Sequence, residues 1–390
     1  MPLPPTICHP YARPQVPQAR RLGLREIFLS LAGLDESHRL LLGDGLRYRL
    51  GHLLRPLGLP SRLVVITDRR VGRLHGTQVV AALADQGFQV AVLAVPPGER
   101  TKSWRVVLRL ARELLAQGIP RGTPLLALGG GVVGDVTGFL ASIYMRGLPL
   151  VQVPTTLLAM VDAAIGGKTA INLPEGKNLL GTFHQPRLVV IDPEFLRTLP
   201  LKERLNGLAE ILKAGFIRDR ELLTQLFRER LGIFRHPKAL LELIHRAVSV
   251  KAAIVAADPR ETDQRRLLNF GHTLGHGLEA ASGYRLPHGR AVALGMLAAM
   301  KLSERLCGLS PEESRWGRQL ISGFHYSRRL PPLDPEAVLA ALPRDKKRLD
   351  TGLVFVLLKR LGEAVIVPEV PLSLVQEVLE ELLAPSPKEK

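Results

Sequence analysis

The stretch LLALGGGVVGDVTGF, residues 125–139, decides the fold class of this chain. It opens with a short apolar run, which is typical of a strand buried in a sheet. Three consecutive glycines, Gly129 to Gly131, follow the run, and the residues after them have helical spacing. A strand that passes through a glycine turn into a helix is the start of a β-α-β unit. The stretch therefore predicts helices packed on a mainly parallel sheet.

Similar runs flank this stretch on both sides. Each is short, rich in β-branched residues and closed by turn residues, as expected for strands. They are SRLVVITD (61–68), FQVAVLAVPPG (88–98), LVQVPTT (150–156) and RLVVID (187–192). Segments with helical spacing separate them, so the first half of the chain reads as an α/β domain.

From about Pro193 the pattern changes to long amphipathic helical segments. They lie at 202–218, 239–258, 265–282 and 289–306. We therefore predict three parts: a loose leader over 1–25, an α/β domain over 26–192 and an all-α domain over 193–390. A length of 390 residues also favours two domains, because one hydrophobic core rarely organises more than roughly 250–300 residues.

The composition predicts where the protein works. No apolar run approaches the roughly 20 residues that cross a bilayer, so we expect no contact with a membrane. The proline-rich start lacks the apolar stretch of a secretory signal. Two cysteines, Cys8 and Cys307, provide neither a disulfide framework nor a thiolate metal cluster. These features favour a cytoplasmic location.

The net charge of +17, from 53 basic and 36 acidic residues, raises the alternative of a nucleic-acid-binding module. The arginines, however, are scattered through segments whose spacing puts them on solvated faces. No basic stretch is interleaved with aromatic residues that would stack on bases. The charge therefore favours an ordinary basic surface and a small anionic substrate, and we expect no nucleic-acid partner.

Two glycine turns are candidates for binding a phosphate. In the turn at 129–135, glycines let backbone N–H groups approach a phosphate, and the following helix N-terminus adds a favourable dipole. The turn departs from the G-x-G-x-x-G fingerprint, so a simple strand-to-helix turn is the alternative. In the second turn, Gly98, Glu99 and Lys102 suit a ribose and a pyrophosphate, with an exposed charged turn as the alternative. Together the two turns favour a bound nucleotide.

Three histidines and a glutamate suggest a metal site. His272 and His276 lie four residues apart, on one face of a predicted helix, and His288 follows closely. Glu210 is an acid in an otherwise apolar helical stretch, where a carboxylate is costly unless it is paired or metal-bound. Imidazoles and a carboxylate suit zinc or a similar ion. Helix capping and hydrogen bonds in the core are the alternative roles, and the spacing leaves open which histidines bind.

Several cationic or amide side chains near these segments could surround an anion. They are Lys168, Lys177, Asn178, Lys213, Lys251 and Arg265. Taken individually, each is more often a solvated surface residue than an anion ligand. Lys213 lies three residues after Glu210 and is a candidate ion-pair partner for that carboxylate.

Seven strings, in order from about Thr67 to about Gly362, resemble consecutive signatures of the 3-dehydroquinate synthases. They are LALGGGVVGDVTGF, YMRG, the run from VQVPTT to TFHQP, NGLAEILKAG, LLNFGHTLGHGLE, HGRAVALGM and RDKK. One string would be weak evidence, but the ordered set is specific. The resemblance implies a homodimer whose α/β half binds NAD and whose helical half binds zinc or cobalt.

The resemblance also implies roles for individual residues. The metal ligands are Glu210, His272 and His288. The substrate pocket comprises Arg146, which reaches across the dimer, with Asp162, Lys168, Lys177, Asn178, Lys213, Lys251, Arg265, Asn269, His276 and Lys346. The cofactor site comprises Asp68, Glu99, Lys102, Gly131, Val132, Val133, Gly134, Asp135, Thr155, Thr156, Lys168, Lys177, Phe195, Leu196, Arg197 and Thr198.

The implied reaction converts 3-deoxy-D-arabino-heptulosonate 7-phosphate, a phosphorylated sugar acid, to 3-dehydroquinate and phosphate. NAD takes a hydride from the carbon 5 hydroxyl, phosphate is eliminated, and the hydride is returned. Ring opening and an aldol closure follow, so NAD is regenerated. The metal is expected to polarise the hydroxyl that is oxidised, and the cations to hold the substrate's anionic groups.

Three positions depart from the family's pattern. Arg290 stands where a glutamate usually follows the His-Gly pair, which removes a possible hydrogen-bond acceptor beside a metal ligand. Pro259 and Asp263 interrupt a stretch that usually reads ADERE followed by glycine. The closest alternative function is another sugar phosphate cyclase, of the deoxyinosose or valiolone type. An iron-type alcohol or glycerol dehydrogenase is more remote.

Overall fold

The computed structural model describes residues 24–31, 37–326, 332–342 and 353–384. Its first half alternates strands and helices. In chain order they are β1 (Arg25–Leu29), β2 (His38–Leu42), α1 (Leu50–Leu54), β3 (Arg62–Asp68), α2 (Arg69–Val71), α3 (Thr77–Ala84), β4 (Gln89–Val95), α4 (Trp104–Ala116), β5 (Leu125–Gly129), α5 (Gly131–Ile143), β6 (Leu150–Pro154), β7 (Lys168–Leu173), β8 (Gly176–Phe183) and β9 (Leu188–Ile191).

Seven of these strands form one sheet, in the order β1-β2-β9-β6-β5-β3-β4. All neighbouring pairs are parallel except β1 and β2, which pair antiparallel at one edge. Strands β5, β6 and β9 are buried along their whole length, because helices or other elements cover both faces of the sheet. The predicted mainly parallel sheet is confirmed, and β1 and β2 are additions to it.

The glycine turn brings α5 directly off the end of β5, as the sequence predicts. Helix α5 then packs closely on β7, the first strand of an antiparallel hairpin formed with β8. Gly138 permits this approach, since a Cβ atom there would lie 2.3 Å from Thr169 Cγ2. The hairpin lies outside the main sheet and was not predicted.

The second half is helical, as predicted, but it is not all-α. Its elements are α6 (Leu201–Arg218), α7 (Arg220–Glu229), α8 (Pro237–Ala257), α9 (His272–Ala281), α10 (His288–Leu306), α11 (Pro311–Ser322), α12 (Pro335–Ala340), β10 (Leu353–Arg360), β11 (Glu363–Val370) and α13 (Leu372–Leu383). Strands β10 and β11 form an antiparallel hairpin against α10, because two β-branched apolar runs flank a turn at Gly362, whose φ is +88°.

The two halves share a hydrophobic core. Leu42 and Val189 of the sheet belong to the same buried cluster as Phe216 and Leu294 of the helices, while α4 and α5 cover the opposite face of the sheet. This continuity holds the end of the sheet against the helical half. In the part of the chain that the structure describes, none of the helices combines the length and apolar character that a membrane span needs.

The chain leaves the sheet at Ile191 and enters the helical half through a 3₁₀ turn at Pro193–Thr198. Asp192 between them is fully buried and accepts hydrogen bonds from the backbone N–H groups of Gly45, Arg47 and Glu194. These bonds tie the junction to the segment after β2. The division into domains at this junction stays a prediction.

Candidate functional site

A cleft of about 900 Å³ opens where the glycine turn, the β7–β8 hairpin, the second half of helix α9 and the start of helix α10 meet. Residues selected from the sequence contribute a large part of its lining. They are Asp68, Glu99, Lys102, Gly131, Val132, Val133, Asp135, Thr155, Thr156, Lys177, Asn178, Thr198, His276 and His288. The structure therefore brings together residues that are more than two hundred positions apart in the chain.

The N-terminus of α5 forms one wall of the cleft. Its N-cap residue is Gly130, which has no side chain to accept a hydrogen bond from the first turn of the helix. The residues of that turn, Gly131 to Val133, line the cleft. Free N–H groups and the helix dipole suit a phosphate, so the turn fits the pyrophosphate of a dinucleotide.

Lys102 joins this helix to the hairpin. Its Nζ donates a hydrogen bond of 2.5 Å to Asp135 Oδ2 on α5 and also contacts Asn178 Oδ1 on β8. Burial raises the pKa of Asp135 to about 6, although the ammonium of Lys102 opposes this shift. Asp135, predicted for the cofactor site, and Asn178, predicted for the substrate pocket, thus contact the same ammonium group.

The remaining cofactor candidates are less uniform in position. Asp68 caps α2 by accepting hydrogen bonds from the N–H groups of Arg70 and Val71, at 2.8 and 3.0 Å. Of the four residues 195–198, the side chains of Phe195 and Leu196 are buried in the core, and that of Arg197 is exposed. Thr198 is the member of this group that lines the cleft.

Three helices place a carboxylate between two imidazoles. Glu210 comes from the middle of α6, while His272 and His288 are the first residues of α9 and α10. Glu210 Oε1 lies 3.5 Å from His272 Nε2 and 3.3 Å from His288 Nε2. The three groups offer ligand atoms that all lie within 4.8 Å of one another, which suits one metal ion.

The state of Glu210 supports a cation at this point. Its residue is only 3% exposed, and within the described chain neither carboxylate oxygen has a hydrogen-bond partner of normal geometry. Lys213, one turn further along α6, forms an ion pair with Oε2, as its spacing predicts. A buried carboxylate with unused lone pairs is costly. A divalent ion between Glu210 and the two imidazoles would use them.

The two imidazoles differ in protonation. Burial lowers the pKa of His272 to about 3, so its ring is neutral and its nitrogens are free for an ion or a hydrogen bond. Burial also disfavours the charged form of His288, but its contacts with Glu210 and Glu279 prevail and raise the pKa of His288 to about 10. A proton on His288 therefore compensates the two carboxylates, a role that a bound cation can take over.

His276 lies on the same face of α9, one turn after His272. It belongs to a second group of possible ligands, with Glu279 and His288, whose atoms also lie within 4.8 Å of one another. Burial lowers the pKa of His276. Both groups contain His288, so proximity alone leaves His276 and Glu279 as alternative ligands. Glu279 was not selected from the sequence.

A chain of buried charges leads away from Glu210. Lys213 Nζ, which pairs with Glu210, also lies 3.9 Å from Asp162 Oδ1. Lys251 donates to the carboxylate of the same aspartate at 2.5 Å and to its backbone carbonyl at 2.7 Å. Asp162 belongs to a π-helical turn at Ala159–Ala163, a local distortion that is frequent at functional sites. Three residues predicted for the substrate pocket are thus linked.

Arg265 is held by an ordered loop before α9. Its guanidinium donates to the carbonyl oxygens of Pro259 and Gly166, at 2.5 and 3.1 Å. Asp258 shapes the loop by accepting the backbone N–H groups of Asp263 and Arg265, at 2.7 and 3.0 Å. Both departures from the family pattern in this loop, at 259 and 263, act through backbone atoms. The hydrogen bonds at these two positions therefore do not involve the side chains of proline and aspartate.

Glu261, at the tip of that loop, was missed by the sequence analysis. It forms an ion pair with Lys168 and accepts a long hydrogen bond of 3.5 Å from Asn269 Nδ2. Its φ of +60° is unusual for a residue other than glycine. The sequence offered one signal for Glu261: it lies along the chain between two predicted cations, Lys251 and Arg265. An irregular loop, however, has no periodicity that would distinguish this acid from its neighbours.

Arg146, predicted for the substrate pocket, is remote from the cleft. Arg146 is exposed in the turn after α5, at the far end of that helix from the cleft, and it does not line the cleft of its own chain. Both Arg146 and the preceding Met145 have positive φ, +64° and +47°. Lys346 lies outside the described residues.

Solved structures with the same architecture bind a dinucleotide and a metal. The chain matches 2-epi-5-epi-valiolone synthase from Streptomyces hygroscopicus, solved with NAD+ and Zn2+, at 32% identity and a TM-score of 0.81, over 90% of this chain and 98% of that one. It matches a 2-deoxy-scyllo-inosose synthase, solved with carbaglucose-6-phosphate, NAD+ and Co2+, at 26% identity and a TM-score of 0.81, over 92% and 99%. The fold is therefore that of the sugar phosphate cyclases.

Within this class the sequence comparisons are more specific. The N-terminal model of 3-dehydroquinate synthase matches residues 92–206, and the C-terminal model matches residues 207–348. The 3-dehydroquinate synthase of Thermosynechococcus vestitus is 43% identical over 358 residues, which cover 90% of this chain and 97% of that protein. The chain belongs to the 3-dehydroquinate synthase family.

Proposed function

We propose that this protein is a 3-dehydroquinate synthase, a phosphate-eliminating carbon–oxygen lyase that converts 3-deoxy-D-arabino-heptulosonate 7-phosphate to 3-dehydroquinate. The observation that carries the proposal is the buried Glu210 carboxylate, whose Oε1 faces two imidazoles while Oε2 pairs with Lys213, and which has no hydrogen-bond partner of normal geometry among the described residues. It lies beside a cleft whose opposite wall is an uncapped helix N-terminus. Membership of the family supports the substrate.

The cofactors of the proposed reaction are NAD and one divalent ion, zinc or cobalt. The two solved relatives hold NAD+ with Zn2+ or Co2+. When bound, NAD supplies hydride transfer and the ion polarises the hydroxyl that is oxidised. Glu210, His272 and His288 would hold the ion, and the first turn of α5 with Lys102 would hold the pyrophosphate.

The cationic residues have the task of holding the substrate in one orientation through several steps. Lys213 and Lys251 share Asp162, so their ammonium groups are held in place before the substrate binds. Burial lowers the pKa of Lys251, and Asp162 opposes this shift. An arriving carboxylate or phosphate would add a second anion beside these lysines and stabilise their charge.

The neutral state of His276 suits a different task. Because burial lowers the pKa of this ring, one nitrogen can donate and the other can accept a hydrogen bond near neutral pH. We assign His276, with Lys168, Lys177, Asn178, Arg265, Asn269 and Glu261, to positions around the substrate. Lys168 and Glu261 form an ion pair that joins the hairpin to the loop before α9.

The second candidate function is that of another sugar phosphate cyclase. It is favoured by the TM-scores of 0.81 with two such enzymes. Their identity to this chain, 32% and 26%, is lower than the 43% of a curated 3-dehydroquinate synthase. The chain also has Lys251, Arg265 and Asn269, which the resemblance assigns to the substrate pocket and which suit a substrate carboxylate. These differences favour the heptulosonate phosphate.

The experiment supplies the purified protein with NAD, a zinc salt and the heptulosonate phosphate, and measures inorganic phosphate and 3-dehydroquinate. We expect the two products in equal amounts, with no net accumulation of NADH, since the hydride is returned. A Glu210→Gln variant, which keeps the volume of the side chain, is the matched inactive control. Release of phosphate only from a sugar phosphate without a carboxylate would favour the second candidate, and accumulation of NADH would favour a dehydrogenase.

We also propose that the protein is a homodimer and that Arg146 enters the partner's cleft. Two consecutive residues with positive φ, Met145 and Arg146, indicate backbone strain of the kind that is retained at functional sites. Ile143, Leu179 and Phe183 on the neighbouring α5 and β8 are 40%, 60% and 50% exposed, which suits an interface. The low cysteine content and the biosynthetic family support a cytoplasmic location.

A further inference from the structure

His288 has an acid on each edge of its ring. Nε2 lies 3.3 Å from Glu210 Oε1, and Nδ1 lies 3.2 Å from Glu279 Oε2. The two nitrogens of an imidazole point in different directions, so one faces the candidate ion position and the other faces away from it. Glu279 is 7% exposed and lies on α9, seven residues after His272 and thus on the same face of that helix.

Glu279 is a candidate ligand in the second group, with His276 and His288, but its contacts favour another role. Its Oε2 already accepts the hydrogen bond from His288 Nδ1, and its Oε1 lies 3.9 Å from Lys177 Nζ. Glu210 Oε2 pairs with Lys213, but Oε1 has no hydrogen-bond partner of normal geometry in the described chain and lies 3.5 Å from His272 Nε2 and 3.3 Å from His288 Nε2. The unused acceptor is therefore Glu210 Oε1, and the ion belongs beside Glu210 and His272.

A neutral imidazole that binds an ion through Nε2 carries its proton on Nδ1. This proton needs an acceptor, which also sets the orientation of the ring. We propose that Glu279 is a positioning residue for the metal site: it accepts the Nδ1–H of His288 and thereby directs Nε2 toward Glu210 and His272. The inference rests on the metal site of the proposed function and adds a residue to it.

Arg290 does not supply this acceptor. The resemblance implies a glutamate at this position, two residues after His288, so the arginine suggested that an acceptor was lost. Arg290 instead donates from Nε to the backbone carbonyl of Tyr326, at 2.6 Å. Glu279 provides the carboxylate from α9, so the hydrogen bond to His288 does not depend on position 290.

Lys177 gives Glu279 a permanent counter-charge. Its Nζ lies 3.9 Å from Glu279 Oε1 and 4.0 Å from the centre of the Tyr284 ring, a cation–π distance. Lys177 comes from the hairpin in the α/β half, so it contacts Glu279 independently of the histidines. Glu279 Oε1 faces this ammonium, which leaves Oε2 for the Nδ1–H of His288.

The test measures metal affinity, without turnover, in three variants of the full chain. Glu279→Gln keeps an acceptor oxygen at full reach without the charge, Glu279→Asp keeps the charge but is shorter by one methylene, and Glu279→Ala keeps neither. We expect the dissociation constants for Zn2+, measured by competition with a chromophoric chelator, to rise about 10–100-fold in the Asp and Ala variants. The Gln variant should stay closer to the wild type. Glu377→Ala, on the distant helix α13, is the control for loss of a carboxylate.

The Co2+-loaded proteins distinguish a positioning residue from a ligand. If Glu279 positions His288, the Ala variant still binds one ion, and its visible absorption keeps the pattern of the wild type. Unchanged affinity in both the Asp and Ala variants would overturn the inference, as would full affinity in Asp with a loss in Gln. Ion binding that survives His272→Ala but not His276→Ala would move the ion to the second group and also overturn it.

Failure of this inference and failure of the proposed function give different results. Phosphate release by a wild type whose zinc affinity does not depend on Glu279 leaves the function and removes the positioning role. Glu279-dependent zinc binding by a protein that releases no phosphate from the heptulosonate phosphate does the reverse. A wild-type protein that binds neither Zn2+ nor Co2+ would overturn the inference directly. If the Ala variant does not fold, the comparison of Gln with Asp decides.

Discussion

Lys251 donates hydrogen bonds to both the carboxylate and the backbone carbonyl of Asp162, at 2.5 and 2.7 Å, so one ammonium group joins α8 to the π-helical turn of the α/β half. Both side chains are largely removed from water. Breaking a buried ion pair leaves the remaining charge without compensation, which costs more than replacing the pair as a whole. The difference in stability between removing one partner of the pair and replacing both partners can be measured.

We predict that Asp162→Ala lowers the free energy of unfolding by about 3–5 kcal/mol, because it leaves Lys251 buried without a carboxylate. The double variant Asp162→Ala with Lys251→Met should recover part of this loss, since the apolar side chain needs no partner. A double-mutant cycle measures this coupling: urea unfolding gives the free energies of unfolding of the wild type, Asp162→Ala, Lys251→Met and the double variant. Additive effects of the two single changes would show that the pair is not coupled.

We predict that Glu210→Gln removes most of the affinity for Zn2+ and abolishes phosphate release. An amide of the same size keeps the packing of α6 but lacks the negative charge that an ion between two imidazoles requires. Metal analysis after gel filtration and the phosphate assay check both effects. Glu203→Gln, near the start of the same helix, should bind one ion as the wild type does. One equivalent of zinc retained by the Glu210 variant would disprove Glu210 as a ligand.

The metal group illustrates what the sequence could and could not predict. An acid within an apolar helix and closely spaced histidines led to Glu210, His272, His276 and His288 as candidates. The spacing left their selection open, because which histidines meet the acid depends on the packing of α6, α9 and α10. The resemblance named the ligands, and the structure brings these three together while also offering His276 as an alternative.

Other features lay beyond any pattern. Strands β3 to β6 and β9 were predicted because buried parallel strands are continuous apolar runs, whereas the β7–β8 hairpin is largely exposed and mixed in composition. Glu279 looked like an ordinary helix residue, since its role depends on a partner nine positions away on the next helix. Glu261 lies in a loop that Asp258 shapes by accepting hydrogen bonds from backbone N–H groups. Almost any residue can supply such an N–H group, so the sequence does not reveal these bonds.

We predict that Gly166→Ala weakens substrate binding and lowers stability. Gly166 has a φ of +100°, and a Cβ atom there would lie 2.4 Å from Arg265 Nη2, so the guanidinium must leave its position. Gly122→Ala is the matched control, since Gly122 has a φ of +91° with open space around it. Backbone strain alone should cost about 1–2 kcal/mol in both variants.

The difference between the two glycine variants isolates the effect on Arg265. Unfolding experiments compare their stabilities, and initial rates compare their KM values for the heptulosonate phosphate. We expect a raised KM in the Gly166 variant alone. Equal KM values in both variants would mean that the position of Arg265 does not contribute to substrate binding.

We predict a pH-dependent contribution of Asp258 to stability. Although its burial favours the protonated form, backbone hydrogen bonds from Thr262, Asp263 and Arg265 hold the pKa of Asp258 well below its usual range. A carboxyl group whose pKa is lower in the folded state stabilises the protein above its unfolded pKa, about 4, and loses this contribution as the pH falls toward the folded pKa. Asp258→Asn should therefore be less stable than the wild type near neutral pH.

The difference in the free energy of unfolding between the wild type and Asp258→Asn should become smaller as the pH falls below about 4. Urea unfolding at a series of pH values measures it. Asp85→Asn, at an exposed position after α3, should follow the wild type throughout. If this difference in the free energy of unfolding does not change with pH, the lower stability of the variant is due to altered packing and not to loss of the ionised carboxylate.

We predict that Arg146→Ala is inactive as a homodimer but can be complemented. If Arg146 enters the partner's cleft, a subunit with this change has an intact metal site and receives the arginine from a partner that carries His272→Ala. Random mixing by joint refolding gives about half heterodimers, each with one complete site, so activity should return to about a quarter of the wild-type value. Two separately refolded inactive homodimers, mixed afterwards, are the control. If Arg146 acted within its own chain, no heterodimer would contain a complete site and the mixture would stay inactive.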